Sequence, residues 1–108
     1  MAAPDDSGYN IARVRHEIVL APEALEDLLR LDARTRTEVR DRIERHLRHE
    51  PTRLSRTRIK RLRGLTRPQY RLRVQDVRVF YDVAGPEVQV LAIVPKKDAN
   101  DWLDRWGE

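Results

Sequence analysis

A chain of 108 residues, 40% hydrophobic and 37% charged, has room for one core and buries about two thirds of its unfolded surface on folding. It contains no cysteine, which excludes a disulfide framework, a thiolate metal site and a cysteine nucleophile; the longest apolar run of its C-terminal half, Val90–Val94, is far short of a membrane span, so a cytoplasmic protein without membrane contact is expected. The net charge of +4 hides an uneven distribution: residues 53–78 carry ten basic side chains and one acidic, and the segments before and after them are both net negative.

Residues 1–12 show no usable period and contain Pro4, Gly8 and two adjacent aspartates, the composition of a flexible arm; residues 13–108 read as a single domain. Val14, His16, Ile18 and Leu20 alternate with Arg15 and Glu17, which predicts a strand over 13–20, with Val19 suggesting that its end is covered on both faces. Pro22 and Glu23 suit the first turn of a helix that carries Leu25, Leu28 and Leu29 and ends near Leu31. Asp32 can cap a second helix, to about His49, whose apolar stripe is Val39, Ile43 and Leu47 and whose acid-first pairs at i,i+4 fit an exposed surface. His46 and His49 sit in its last turn, where cations complement the helix dipole; no third ligand is spaced to make them a metal site, and no metal or cofactor is expected.

A short strand of open phase follows around Ile59–Leu65. Tyr70, Leu72 and Val74 then alternate with Arg71 and Arg73, Gln75-Asp76 reads as a two-residue turn, and Val77, Val79, Tyr81 and Val83 alternate with Arg78, Phe80 and Asp82. After an Ala84-Gly85-Pro86 turn, Val88–Val94 is almost continuously apolar, as in a central strand covered on both faces or one leading under a helix. Asp98 can cap a terminal helix with Ala99, Trp102, Leu103 and Trp106 on one side. The fold class is α+β: a small twisted antiparallel sheet with the N-terminal helical hairpin on one face and a short C-terminal helix.

A two-residue turn fixes the hairpin register, with Arg73 opposite Arg78 and Arg71 opposite Phe80. It sorts Tyr70, Leu72, Val74, Val77, Val79, Tyr81 and Val83 towards the helices and leaves Arg71, Arg73, Arg78, Phe80 and Asp82 on the open face. Like charges placed opposite each other repel unless an anion covers them. Guanidinium forks beside an exposed aromatic make a candidate RNA platform of phosphate grips and a base-stacking surface.

The segments Arg61-Leu62-Arg63-Gly64-Leu65, Tyr70-Arg71-Leu72-Arg73-Val74, Val77-Arg78-Val79-Phe80-Tyr81-Asp82-Val83 and Val90-Leu91-Ala92-Ile93-Val94-Pro95-Lys96-Lys97 together resemble the RelE/ParE superfamily, toxins of bacterial type II toxin-antitoxin modules, over about Ile18 to Trp106. The resemblance implies a cytoplasmic toxin held in a hetero-oligomer by a cognate antitoxin protein. For the RelE-type branch it implies a ribosome-dependent endoribonuclease that cuts mRNA without a metal, the 2′-hydroxyl attacking the adjacent phosphate to leave a 2′,3′-cyclic phosphate, so that the ribosome and mRNA are further partners. The positions that carry over as catalytic are Arg71, Arg73, Arg78 and Lys97 (or Lys96). RNA contacts fall to Arg61, Arg63, Phe80 and Lys96. The terminal segment has Trp102-Leu103 where a tyrosine is common, and arginine cannot serve as a general base, so the proton carrier stays open among Lys96, Lys97 and Asp98. A ParE-like inhibitor of DNA gyrase and an inert antitoxin-binding member are the competing implications.

Overall fold

A computed structural model describes residues 15–108; the arm expected over residues 1–12, and the first two positions of the predicted opening strand, lie outside them. The elements run β1 (Glu17–Leu20), α1 (Pro22–Arg30), α2 (Ala33–Leu47), β2 (Ile59–Arg61), β3 (Tyr70–Val74), β4 (Val77–Ala84), β5 (Glu87–Pro95), a 3-10 turn (Lys96–Asp98) and α3 (Ala99–Trp106). The five strands form one sheet in the order β1-β5-β4-β3-β2, and the helical hairpin packs on one face as the sequence predicts. The sheet is mixed, however, where a wholly antiparallel one was expected: β1 pairs parallel with β5, Ile18 beside Val88 and Leu20 beside Val90. The β2–β5 meander leaves one edge of β5 bare, and a strand joined to it through two helices is free to enter that edge in the parallel sense.

Local chemistry explains the helices. Pro22 starts α1, which buries Ala24 and Leu28. The Ala21 amide donates to the Val90 carbonyl at 2.9 Å, and Asp27 Oδ2 accepts the Ile93 amide at 3.0 Å, so α1 takes over the edge of β5 where β1 stops. Asp32 caps α2 by accepting the Thr35 amide on Oδ1 at 2.8 Å, and the stripe Val39, Ile43 and Leu47 is buried against the sheet. Flanking that stripe, the acid-first pairs Glu38–Arg42 and Glu44–Arg48 form ion pairs.

The main core lies between the hairpin and the sheet and includes Leu72, Val74, Val77, Val79, Tyr81, Val88, Val90 and Ile93. Within it Tyr70 and Tyr81 stack with centroids 5.4 Å apart, and the Tyr81 hydroxyl donates to the Pro51 carbonyl at 2.6 Å. Burial, with Tyr70 beside it, pushes that phenol well above its ordinary value, which makes Tyr81 a fixed donor and not a proton carrier.

The Asp32 cap carries a pH dependence. Hydrogen bonds from Thr35 hold its carboxyl below the ordinary 3.8, so the ionised form is favoured in the folded state. That contribution is complete above the unfolded-state pKa and is lost as pH falls through the lower folded value. Asp32→Ala is expected to melt below the wild type at neutral pH, with the gap narrowing from about pH 5 downwards and Asp32→Asn keeping most of the cap. Circular-dichroism melts across pH read both; a gap that stays constant into acid would contradict this account.

Candidate anion-binding site

The β3–β4 hairpin has the register its two-residue turn dictates, Tyr70 opposite Tyr81, Arg71 opposite Phe80 and Arg73 opposite Arg78. Gln75, the first loop residue, has a φ of 51°. Gly85 holds the same place in the β4–β5 turn with a φ of 58°, the pattern of a type II′ turn, which glycine adopts without strain. The Gln75 side chain is tied back to α2 by a 2.8 Å hydrogen bond to Glu38.

The far face of the sheet is not open over its whole area. The chain leaves β5 through the 3-10 turn and lays α3 across that face, where Phe80, Ala92, Val94 and Ala99 form a second small core with Leu62, Trp102 and Leu103. Phe80, expected as an exposed stacking surface, is fully buried and stacked under Trp102, centroids 5.1 Å apart and rings 9° from parallel. Gly107 closes this arrangement: a Cβ there would come within 2.6 Å of the Leu103 carbonyl oxygen and 3.0 Å of the Leu65 side chain. The Thr66 and Arg67 amides both donate to the Glu108 carbonyl. Asp82, also expected on the open face, is buried and accepts from the Gln69 amide at 2.7 Å and from Arg67 at 2.9 Å.

What α3 leaves uncovered is a cleft of about 290 Å³, lined by Arg71, Arg78, Lys96 and Asn100 over a floor of Leu62, Phe80, Ala99 and Leu103. No carboxylate lines it. Arg78 is nearly buried, with Nη1 donating to the carbonyls of Gln75 at 2.7 Å and Val77 at 3.1 Å, so the backbone of the turn orients its fork. Arg71 is half-buried and its Nε is enclosed without a hydrogen-bond partner among the described residues, an unsatisfied charged donor of the kind a ligand satisfies. Burial first, and then the charges of Arg78 and Arg73, lowers the Arg71 pKa; burial and Arg73 lower that of Arg78, with Asp76 offsetting part. Both remain cationic at neutral pH, and both shifts report desolvation first and like-charge repulsion second, which a bound anion would offset. Among the described residues no ion pair reaches Arg71, Arg73 or Arg78.

The other candidate residues divide. Arg73 is exposed, close enough to bear on Arg71 and Arg78 but outside the cleft lining. Lys96, one of the two lysines kept open, lines the cleft; Lys97 lines only the cavity beyond it. Arg61 departs from its expected place among the RNA contacts, because β2 enters with Ile59 opposite Leu72 and Arg61 opposite Tyr70. That phase turns Arg61 to the helix side, where its guanidinium lies 5.0 Å from the Tyr70 ring centroid, and puts Lys60 opposite Arg71. Arg63 is exposed beyond β2 and does not line the cleft. Asp98 makes no capping bond, because a 3-10 turn precedes α3. Asn100 was not among the expected residues; nothing in a lone asparagine near a helix start distinguishes it before the helix is docked.

Comparison with known proteins adds the following. The sequence profile described as ParE toxin of type II toxin-antitoxin system, parDE, matches residues 18–100. Among curated proteins, none matches the chain. In fold the chain is similar to the toxin-antitoxin complex RelBE2 from Mycobacterium tuberculosis, with 23% identity over 76% of this chain and 99% of that one and a TM-score of 0.66. It is also similar to the RelB-RelE antitoxin-toxin complex from Methanococcus jannaschii, 18% identical over 78% and 96% of the chains with a TM-score of 0.58. A third likeness is to the RelE-RelB complex from Pyrococcus horikoshii OT3, 24% identical over 76% and 96% with a TM-score of 0.55.

Proposed function

The chain belongs to the ParE toxin family of type II toxin-antitoxin systems, and from the chemistry of its cleft we propose that it arrests growth by cutting ribosome-bound mRNA, with Arg71, Arg78 and Lys96 holding the scissile phosphate. The observation that carries this reading is the convergence of three cationic side chains on one cleft without a carboxylate, one of them with a buried, unpartnered N–H. Guanidinium forks match phosphate oxygens bidentately, and donors already in place stabilise the charge that builds on phosphorus as the 2′-oxygen attacks. The P–O5′ bond breaks, a 2′,3′-cyclic phosphate forms, and the leaving 5′-oxygen needs a proton. Lys96, as an ammonium, is the cleft's one group suited to give it, since Tyr70 and Tyr81 both belong to the opposite face. Solvent water takes the proton of the attacking hydroxyl.

The same cations suit an antitoxin partner. The solved relatives are toxin-antitoxin complexes, and an acidic antitoxin segment laid over residues 53–78 would neutralise their excess charge and stabilise the folded toxin by mass action. Among the described residues no helix is long and apolar enough to cross a membrane.

Two observations favour a second reading, a toxin directed at DNA gyrase: Phe80 is capped by Trp102 and so offers no base-stacking platform, and the cleft is poor in proton carriers. Induced expression, followed by mapping of transcript ends and plasmid topology in one culture, separates the two. The nuclease reading expects new cuts inside translated codons with supercoiling intact. Intact transcripts with relaxed or cleaved plasmid would replace it with the gyrase reading.

A further inference from the structure

The cleft does not end at Lys96. A larger and more open cavity, about 600 Å³, adjoins it and is lined by Asp76, Pro95, Lys96, Lys97 and Asn100; Lys96 and Asn100 line both spaces. The backbone fixes the junction, because the Lys96 amide donates to the Asp76 carbonyl at 2.7 Å and ties the start of the 3-10 turn to the tip of the β3–β4 hairpin. The two spaces differ in chemistry. The inner one holds cations and no carboxylate, whereas the outer one sets a carboxylate, a carboxamide and a proline ring beside Lys96 and Lys97. A phosphate suits the lysine side of this space, but beside Asp76 it would meet like charge. A flat neutral group bearing donors fits better, since an ionised carboxylate only accepts hydrogen bonds while asparagine both donates and accepts.

We propose that the outer cavity is a nucleobase subsite, in which Asp76 and Asn100 read the edge of the base next to the phosphate held by Arg71 and Arg78, with Lys97 on the flanking phosphate. This rests on the RNA reading above and adds a sequence preference to it. Proteins that read single-stranded RNA take up splayed bases and hydrogen-bond their edges. Adenine, cytosine and guanine each present an exocyclic amine that Asp76 can accept from. Uracil presents a lone imino N–H flanked by two carbonyl oxygens, at least one of which would face the carboxylate, so the subsite discriminates against uracil by an unmade contact as well as by a made one.

The test uses the full-length chain and fluorescence-labelled oligouridine hexamers in which one position is adenine, cytosine, guanine or uracil, the preceding 2′-hydroxyl being replaced by hydrogen to block cutting. Affinity is measured by anisotropy across a salt series. The three amine-bearing hexamers are expected to bind about tenfold tighter than all-uridine. Asp76→Asn, which keeps the backbone bond to Lys96, should shrink that difference to about twofold, and Asn100→Ala should weaken the amine-bearing hexamers without changing the salt slope. Lys97→Ala and Arg78→Ala should each reduce the slope by about 0.7, one phosphate's worth on a single strand. Equal binding of all four hexamers, or an Asp76→Asn variant that keeps the wild-type order, overturns the base subsite alone if Arg78→Ala still lowers the slope. A wild type that binds no hexamer, with or without ribosomes present, or a slope indifferent to Arg78, overturns the RNA reading and the subsite with it.

Discussion

Replacement of Arg78 by alanine is expected to lower transcript cleavage by about 10²–10³-fold, the usual loss when one preorganised donor to a developing oxyanion is removed. Arg78 is singled out because the Gln75 and Val77 carbonyls already hold its fork, so little reorganisation accompanies the reaction. Arg78→Lys keeps the charge but not the fork and should fall in between. Arg71→Ala should match Arg78→Ala in direction, and Arg73→Ala, exposed and screened by solvent, should cost no more than about tenfold. Because Arg78 is only 6% exposed, each variant is to be melted alongside its cleavage assay. Lost cleavage in a protein that still melts cooperatively supports the clamp; cleavage at wild-type levels, or loss that only ever accompanies unfolding, sinks it.

Phe80→Ala is expected to destabilise the fold by about 3–5 kcal/mol, a large share of the roughly 5–15 kcal/mol available to a domain. At about 4–8 °C per kcal/mol the melting temperature should drop by more than about 10 °C. Phe80 has no exposed surface and is the centre of the small core under α3, so its truncation leaves a cavity and strips Trp102 of its stacking partner. Trp102→Ala should destabilise in the same direction, and the double variant should fall short of the sum by about 0.5–1.5 kcal/mol, the coupling of a stacked pair. The alternative role makes the opposite forecast. A base platform would lose RNA affinity on truncation with the melting temperature unchanged.

Where sequence reasoning succeeded, the information was local. Asp32 three residues before Thr35 is enough to cap α2, and a two-residue turn between alternating runs is enough to pair Arg73 with Arg78 and Arg71 with Phe80. The failures came from contacts that no local pattern encodes. The amphipathic period of α3 says that the helix packs, not on which face, so from sequence Phe80 reads as exposed beside the arginines. The continuous apolar run Val90–Val94 is the available clue, because a strand flanked by one helical layer has no use for Ala92 and Val94 on its other side. Arg61 was misplaced for a related reason: three residues of strand are too short to reveal their own phase, and only the partner, Leu72 against Ile59, sets it. The cleft was legible as a charge excess and, through the family resemblance, in Lys96, while Asn100 required the docking of α3.

The position of β5 has a consequence for the order in which the molecule can assemble. This strand stands between β1 and β4 in the sheet, yet it follows both in the chain, so β1 waits with an unsatisfied edge while α1, α2 and the β3–β4 hairpin form from near neighbours. Closing that long loop is the entropically demanding step, and such non-local pairings slow folding. Lys96, Asn100 and the α3 cover lie beyond β5, so the cationic cleft is among the last features to exist. A chain that has made its helices and its arginine hairpin but not yet threaded β5 has the charge of the toxin without its site.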